Sequence, residues 1–200
     1  MSSIVQETSL IFPFKGNRDY VHGTDMVNTV LSHFASPQLQ HIKMSVHGLV
    51  KNPSCLLSIY NAVPTSPGIF RGEFFIEGKP LWIQIIEQKK HPTHYERYDF
   101  NEDIITSQCE IQGKQIFHQS VSSCSFIDTI VFMKKHLLCQ LFPLANVKWL
   151  FTGIELQNSE VNQKNLSIEI IHNFHYKLIK SKIYADNHVL GFIYFSSVAL

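Results

Sequence analysis

The sequence predicts an α+β fold in which one helix set against antiparallel strands is made twice in a single chain. Three observations predict it. One segment in each half carries apolar residues at helical spacing, while the runs after it are β-branched and aromatic and broken by tight-turn residues. The same order of elements recurs after about 105 residues, too long for a solenoid period and suited to a duplicated half-domain. The composition, 44% apolar and 16% charged with a formal net charge of +1, belongs to a chain that folds around a core rather than to a disordered one.

In the first half, Ser9 to Phe14 is a short apolar run that reads as a strand, followed by the polar loop KGNRDYVHG. TDMVNTVLSHF then places Met26, Val27, Val30, Leu31 and Phe34 at helical spacing. After a loop at Ala35 to Gln38 come IKMSVHGLV and LLSIY as strands. IFRGEFFI and LWIQIIE form a hairpin around Glu77-Gly78-Lys79-Pro80, because a Gly-containing tight connection joins two extended apolar runs.

In the second half, IQGKQIFHQSV reads as a strand and SFIDTIVFMKKHLLCQLF as a helix apolar nearly all round, which must be covered on most sides. VKWLFTGIEL, LSIEII, YKLIKSKIYA and VLGFIYF follow as strands, the last two joined at Asp186-Asn187-His188. Asp25 and His33 lie eight apart in the first helix, as do Asp128 and His136 in the second. IKMSVHGL also aligns with VKWLFTGI, setting Lys43 opposite Lys148 and Gly48 opposite Gly153. Between the halves, KKHPTHYERYDFNEDIITS is charged and poor in aliphatic residues, as a surface connection is. The expected division is therefore 1–90, a connector at 91–107, and 108–200.

Several function classes are excluded or set aside. The 17 Lys and Arg residues are scattered, which argues against a nucleic-acid partner. No run approaches the roughly 20 apolar residues of a membrane helix, and MSSIVQETSL has no secretory pattern, so cytoplasm is the expected address. The four cysteines, with no C-x-x-C pair, read as reduced packing thiols. No metal is expected: His91 with His94 falls in the connector, and a spacing of three in a strand sends His172 and His175 to opposite faces. His33 and His136 suit helix C-termini, where the dipole favours a cation. Motifs of zinc proteases, serine hydrolases and P-loop enzymes are absent from the sequence.

A central helix wrapped by an antiparallel sheet, made twice, resembles the hotdog superfamily in its tandem, double-hotdog form. The resemblance covers almost the whole chain as a likeness of layout. It implies action on acyl thioesters carried by coenzyme A or the phosphopantetheine of an acyl carrier protein, in fatty acid or polyketide metabolism, with no resident cofactor. It further implies a dehydratase (a lyase) or thioesterase acting as a monomer or homodimer. The loop RDYVHGTD concentrates polar residues before the first helix, whereas QSVSSCSFID at the matching place of the second half has no His or Arg.

Similarity to 3-hydroxyacyl-thioester dehydratases implies that His22 is the base and Asp128 the acid, with Tyr20, Gly23, Thr24 and Asp25 beside the thioester. The acyl tunnel would be lined by Val27, Val30, Val131 and Met133. Arg18 and Lys15 would meet an acidic carrier. The departures are plain: no proline follows His22, and Phe132 stands where Gln or His is usual. Simpler roles compete with these. Ser125 and Asp128 spell a capping box, Asp25 suits a helix N-terminus, and His22 beside Gly23 suits a turn. The alternatives are a non-catalytic acyl-binding or assembly module, and a thioesterase with Asp25 or Asp19 activating water beside Asn28.

Overall fold

A computed structural model of the protein describes residues 3–34, 39–89, 94–159, 161 and 163–199. It divides into two compact units, Met1–Asn101 and Glu102–Leu200. The loop expected at Ala35 to Gln38, His91 of the connector, and parts of the loop at Asn158 to Asn165 lie outside the described residues.

The first unit runs β1 (Ile4–Ile11), β2 (Phe14–Lys15), α1 (Gly23–His33), β3 (Gln40–Val46), β4 (Ser54–Tyr60), β5 (Phe70–Ile76), β6 (Lys79–Glu87) and β7 (Arg97–Tyr98). Its antiparallel sheet has the order β1-β4-β6-β5-β3. The run expected as one strand is divided, because Pro13 has no N–H for a ladder; Phe14 and Lys15 instead pair in parallel with Arg97 and Tyr98. The β5–β6 hairpin turns at Glu77 and Gly78, with φ of 49° and 74°, the two positive values that match the twist of the flanking strands. Met26, Val27 and Val30 of α1 and the alternate residues Phe70 and Phe74 of β5 are buried in the core, and Phe34, capping α1, meets Phe74 at 4.7 Å.

The second unit runs α2 (Asp103–Thr106), β8 (Cys109–Gln112), β9 (Gln115–His118), α3 (Phe126–Leu141), β10 (Val147–Asn158), β11 (Leu166–Phe174), β12 (Leu178–Ala185) and β13 (His188–Ala199). Its antiparallel order is β10-β13-β12-β11-β9-β8. The segment read as a single strand, IQGKQIFHQSV, is a hairpin instead: Gly113, with φ of 58°, supplies the left-handed turn that folds β9 back on β8. The expected connector also carries structure, since β7 and α2 fall within it, and Glu102 takes both carboxylate bonds from Lys135 of α3 at 2.7 and 3.0 Å. The helix α3 lies against β9, β10 and β11 and is buried on most sides. At Gly191 the sheet tolerates no side chain, because a Cβ there would stand 1.9 Å from the Glu155 carbonyl oxygen.

The units share their element order but not their strand order. In the second, β11, β12 and β13 follow one another as neighbours; in the first, β5 lies beside β3 while β6 lies beside β4. The connections account for this. Residues 61–69, with two prolines and a glycine, are long enough to pass a neighbouring strand, whereas the short turn at 175–177, with φ of 51° at His175 and 63° at Tyr176, holds β11 and β12 together. Among the described residues no helix is long and apolar enough to cross a membrane.

Candidate functional site

The polar loop before α1 is fastened at several points. Gly16, at φ 59°, donates its N–H to the Tyr98 carbonyl at 2.8 Å, Arg97 donates to the carbonyls of Gly16 and Arg18, and Val21 bridges Val50. These contacts deliver His22 to the N-cap of α1 in extended backbone, φ −75° and ψ 140°. Its Nδ1 accepts the Thr24 N–H at 3.4 Å and lies 2.8 Å from Thr24 Oγ1. The turn role expected of His22 as an alternative is thus realised as a cap.

Behind His22 sits a buried polar cluster built around Lys15. The Lys15 ammonium, wholly buried, donates to Thr24 Oγ1 at 2.7 Å and pairs with Asp25 Oδ1 at 2.9 Å. The same Asp25 oxygen accepts from the Tyr98 hydroxyl at 2.8 Å, and the ring of Phe100 lies 4.6 Å from the ammonium, a cation–π contact. A buried lysine is tolerable when its charge is matched and its donors are used, and both conditions are met here. Lys15 therefore has no surface with which to meet an acidic carrier, which corrects the role expected of it. Arg18 turns back to the Lys15 carbonyl at 3.2 Å. Asp19 is exposed, and Asn28 is half-buried.

The other residues singled out are distributed as follows. Tyr20 and Thr24 are buried, and Gly23 is half-buried beside the cap. Val27, Val30, Val131 and Met133 are at most 2% exposed, so none offers a wall to an open channel; the helical spacing that suggested a tunnel lining reflects core packing. Asp128 belongs to the second unit, in the first turn of α3. Its N–H donates to Ser125 Oγ at 3.0 Å and its Oδ2 accepts from the Ser125 hydroxyl at 2.8 Å, so the cap read from S-x-x-D is present. His33 lies in the last turn of α1, but His136 does not lie in the last turn of α3, which extends to Leu141.

Sequence reasoning missed three features of the site. Two are the burial of Lys15 and its link to Tyr98 through Asp25: no local pattern marks either, although a lone lysine inside FPFKG was a usable signal. The third is His118, whose ring is buried at the end of β9 on the same face as Ile116. It precedes the N-cap Ser125 by seven positions, as Lys15 precedes the N-cap His22. Its Nδ1 donates to the Ser120 carbonyl at 2.9 Å, and its Nε2 has no hydrogen-bond partner among the described residues.

Thiol chemistry is disfavoured at Cys55 and Cys109. Burial, with Glu87 adding to it, pushes the Cys55 thiol up to about 12, and burial takes Cys109 to about 11, so both stay protonated at neutral pH. Cys139 is exposed, unlike the packing residue expected. Among the described residues no group of three or more metal-binding side chains occurs. A recess of 440 Å³ is lined by Ile11, Pro13, His94, Tyr95 and Glu96, none of them a residue singled out for catalysis or acyl binding.

No family model and no curated protein matches the sequence. Among solved structures the chain is similar to a fusion DH domain, with 11% identity, 97% of this chain and 87% of that chain covered, and a TM-score of 0.48. It is similar to the erythromycin dehydratase at 8% identity, 100% and 90% coverage and TM-score 0.48. A candidate thioesterase II from Thermobifida fusca gives 9% identity, 98% and 94% coverage and TM-score 0.48. Identities and scores this low say nothing of activity, which leaves the chemistry to this chain's own side chains.

Proposed function

We propose that this chain is a double-hotdog protein that processes acyl thioesters, as a 3-hydroxyacyl-thioester dehydratase with His22 at its reacting end. The observation that carries the reading is His22 itself. An imidazole is a poor N-cap, yet one occupies the start of α1, held by Thr24 and backed by the buried Lys15–Asp25 pair. There the helix dipole favours the negative charge that develops on a thioester oxygen when the neighbouring carbon loses a proton. In the reaction a Cα–H bond and the Cβ–O bond break, a C=C bond forms, and water leaves. Coenzyme A or an acyl carrier protein would carry the acyl group.

The test uses 3-hydroxyacyl and saturated acyl thioesters of coenzyme A, following enoyl absorbance and thiol release separately. Enoyl product from the natural protein, lowered about 100-fold or more in His22→Ala, supports the reading. Thiol release without enoyl product replaces it with hydrolysis. Hydrolysis is the weaker alternative, because Asp25, one of its expected water activators, is engaged by Lys15 and Tyr98.

A second reading, a non-catalytic acyl-binding module, is favoured by the sealed faces of Val27, Val30, Val131 and Met133 and by the engagement of Asp128 with Ser125. Neither product, with saturable binding of an acyl thioester, would establish it.

A further inference from the structure

We infer that Lys15 is a positioning residue that fixes the tautomer of His22, so that the neutral imidazole carries its proton on Nε2 and meets an acyl thioester as a hydrogen-bond donor. The catalytic meaning rests on the reading proposed above; the tautomer does not. The argument is one of donor and acceptor polarity. An ammonium group can only donate, so in the 2.7 Å contact Thr24 Oγ1 is the acceptor from Lys15. Thr24 is wholly buried, and its own hydroxyl proton needs an acceptor there. His22 Nδ1 stands 2.8 Å away and supplies one.

The backbone reinforces this polarity. The Thr24 N–H is also directed at Nδ1, at 3.4 Å, and a proton on that nitrogen would collide with it. Nδ1 is therefore a double acceptor, and the neutral ring keeps its proton on Nε2. Lys15 cannot reverse its part, because its ammonium pairs with Asp25 at 2.9 Å and Tyr98 supports the same carboxylate oxygen.

This changes the role expected of His22 from the sequence. A nitrogen that already carries a proton cannot take one from Cα, so His22 is not the base. Its Nε2–H instead stabilises the enolate oxygen, and a separate carboxylate takes the Cα proton and returns it to the departing hydroxyl. Water leaves, the carboxylate is regenerated, and no oxidant or cofactor is consumed.

Nitrogen-15 NMR of the full chain reads the tautomer directly, through correlations between the imidazole nitrogens and ring protons at neutral to mildly alkaline pH. His22 is assigned by its loss in His22→Gln. The expected pattern is an unprotonated Nδ1 and a protonated Nε2. Thr24→Val, which leaves the Lys15–Asp25 pair intact, should shift the pattern toward a mixture, and Thr24→Ser should restore it. Lys15→Met combined with Asp25→Asn removes the pair without stranding a charge and should also mix the tautomers.

A protonated Nδ1 in the natural protein overturns the inference, and so does a pattern unmoved by both Thr24→Val and the double variant. A merely structural role for Lys15 would not move these signals. The expected tautomer in a protein that forms no enoyl product would sink the dehydratase reading and leave the tautomer standing.

Discussion

Among the described residues each unit buries one lysine completely, and the two are solved in opposite ways. Lys15 in the first unit has a carboxylate at 2.9 Å, a hydroxyl acceptor at 2.7 Å and an aromatic face over its charge. Lys134 in the second sits on the core side of α3 with Ile130, Val131, Leu137 and Leu138, one turn before or after it and all buried. Its ammonium nitrogen has no hydrogen-bond partner among the described residues, and burial lowers its pKa to about 6, so it is neutral at pH 7. Equal burial thus gives an ion-paired lysine in one place and an amine in the other. Partners, rather than depth, decide which lysine can orient chemistry.

The largest effect expected from this contrast is at Lys15. Lys15→Met leaves the largely buried Asp25 carboxylate without its cation and should cost about 3–5 kcal/mol in urea unfolding, with much of the loss recovered by adding Asp25→Asn. Equal stability of the single and double variants would show that the pair is not what holds the cluster.

Lys134→Met should act in the other direction, stabilising by roughly 1–4 kcal/mol at pH 7 because no charge partner is lost. The unfolded chain holds the Lys134 proton up to about pH 10.5 and the folded chain only below about pH 6. Between those values the unfolded state binds more protons, so the natural protein gains about 1.4 kcal/mol per pH unit from this group as pH rises. The advantage of Lys134→Met should therefore shrink steadily toward pH 10.5. An advantage that stays constant over this range would mean that Lys134 is charged in the fold.

How much of this was legible in the sequence follows from how local each feature is. Both long helices showed in the spacing of Met26, Val27 and Val30 and of Ile127, Ile130 and Val131, and both late hairpins showed in Glu77-Gly78 and Asp186-Asn187, where the turn residues lie side by side. The β8–β9 hairpin reads as one strand unless Gly113, its turn signal, is given weight. The strand order of the first unit was not legible, because periodicity reports which face is buried but not which strand is the neighbour. The candidate site divides in the same way. His22, Thr24 and Asp25 are adjacent in sequence and were found. Tyr98, brought to Asp25 from 73 positions away, has no local mark, and Lys134 interrupts an apolar helix with a residue that reads as its solvent face.

The smallest effects concern the two helix N-termini, and they bear most on function. Ser125 caps α3 with reciprocal bonds to Asp128, and Ser125→Ala should cost about 0.5–2 kcal/mol. At α1 the same place holds His22, whose ring accepts a long 3.4 Å bond from Thr24 in a position where serine is the better cap. His22→Ser should therefore leave stability within about 0.5 kcal/mol of the natural protein, or raise it, while removing enoyl formation. That separation of effects is the mark of a residue kept for chemistry. If His22→Ser instead unfolds the protein as far as Lys15→Met does, the imidazole is a structural member of the buried cluster, and loss of product in that variant says nothing about catalysis.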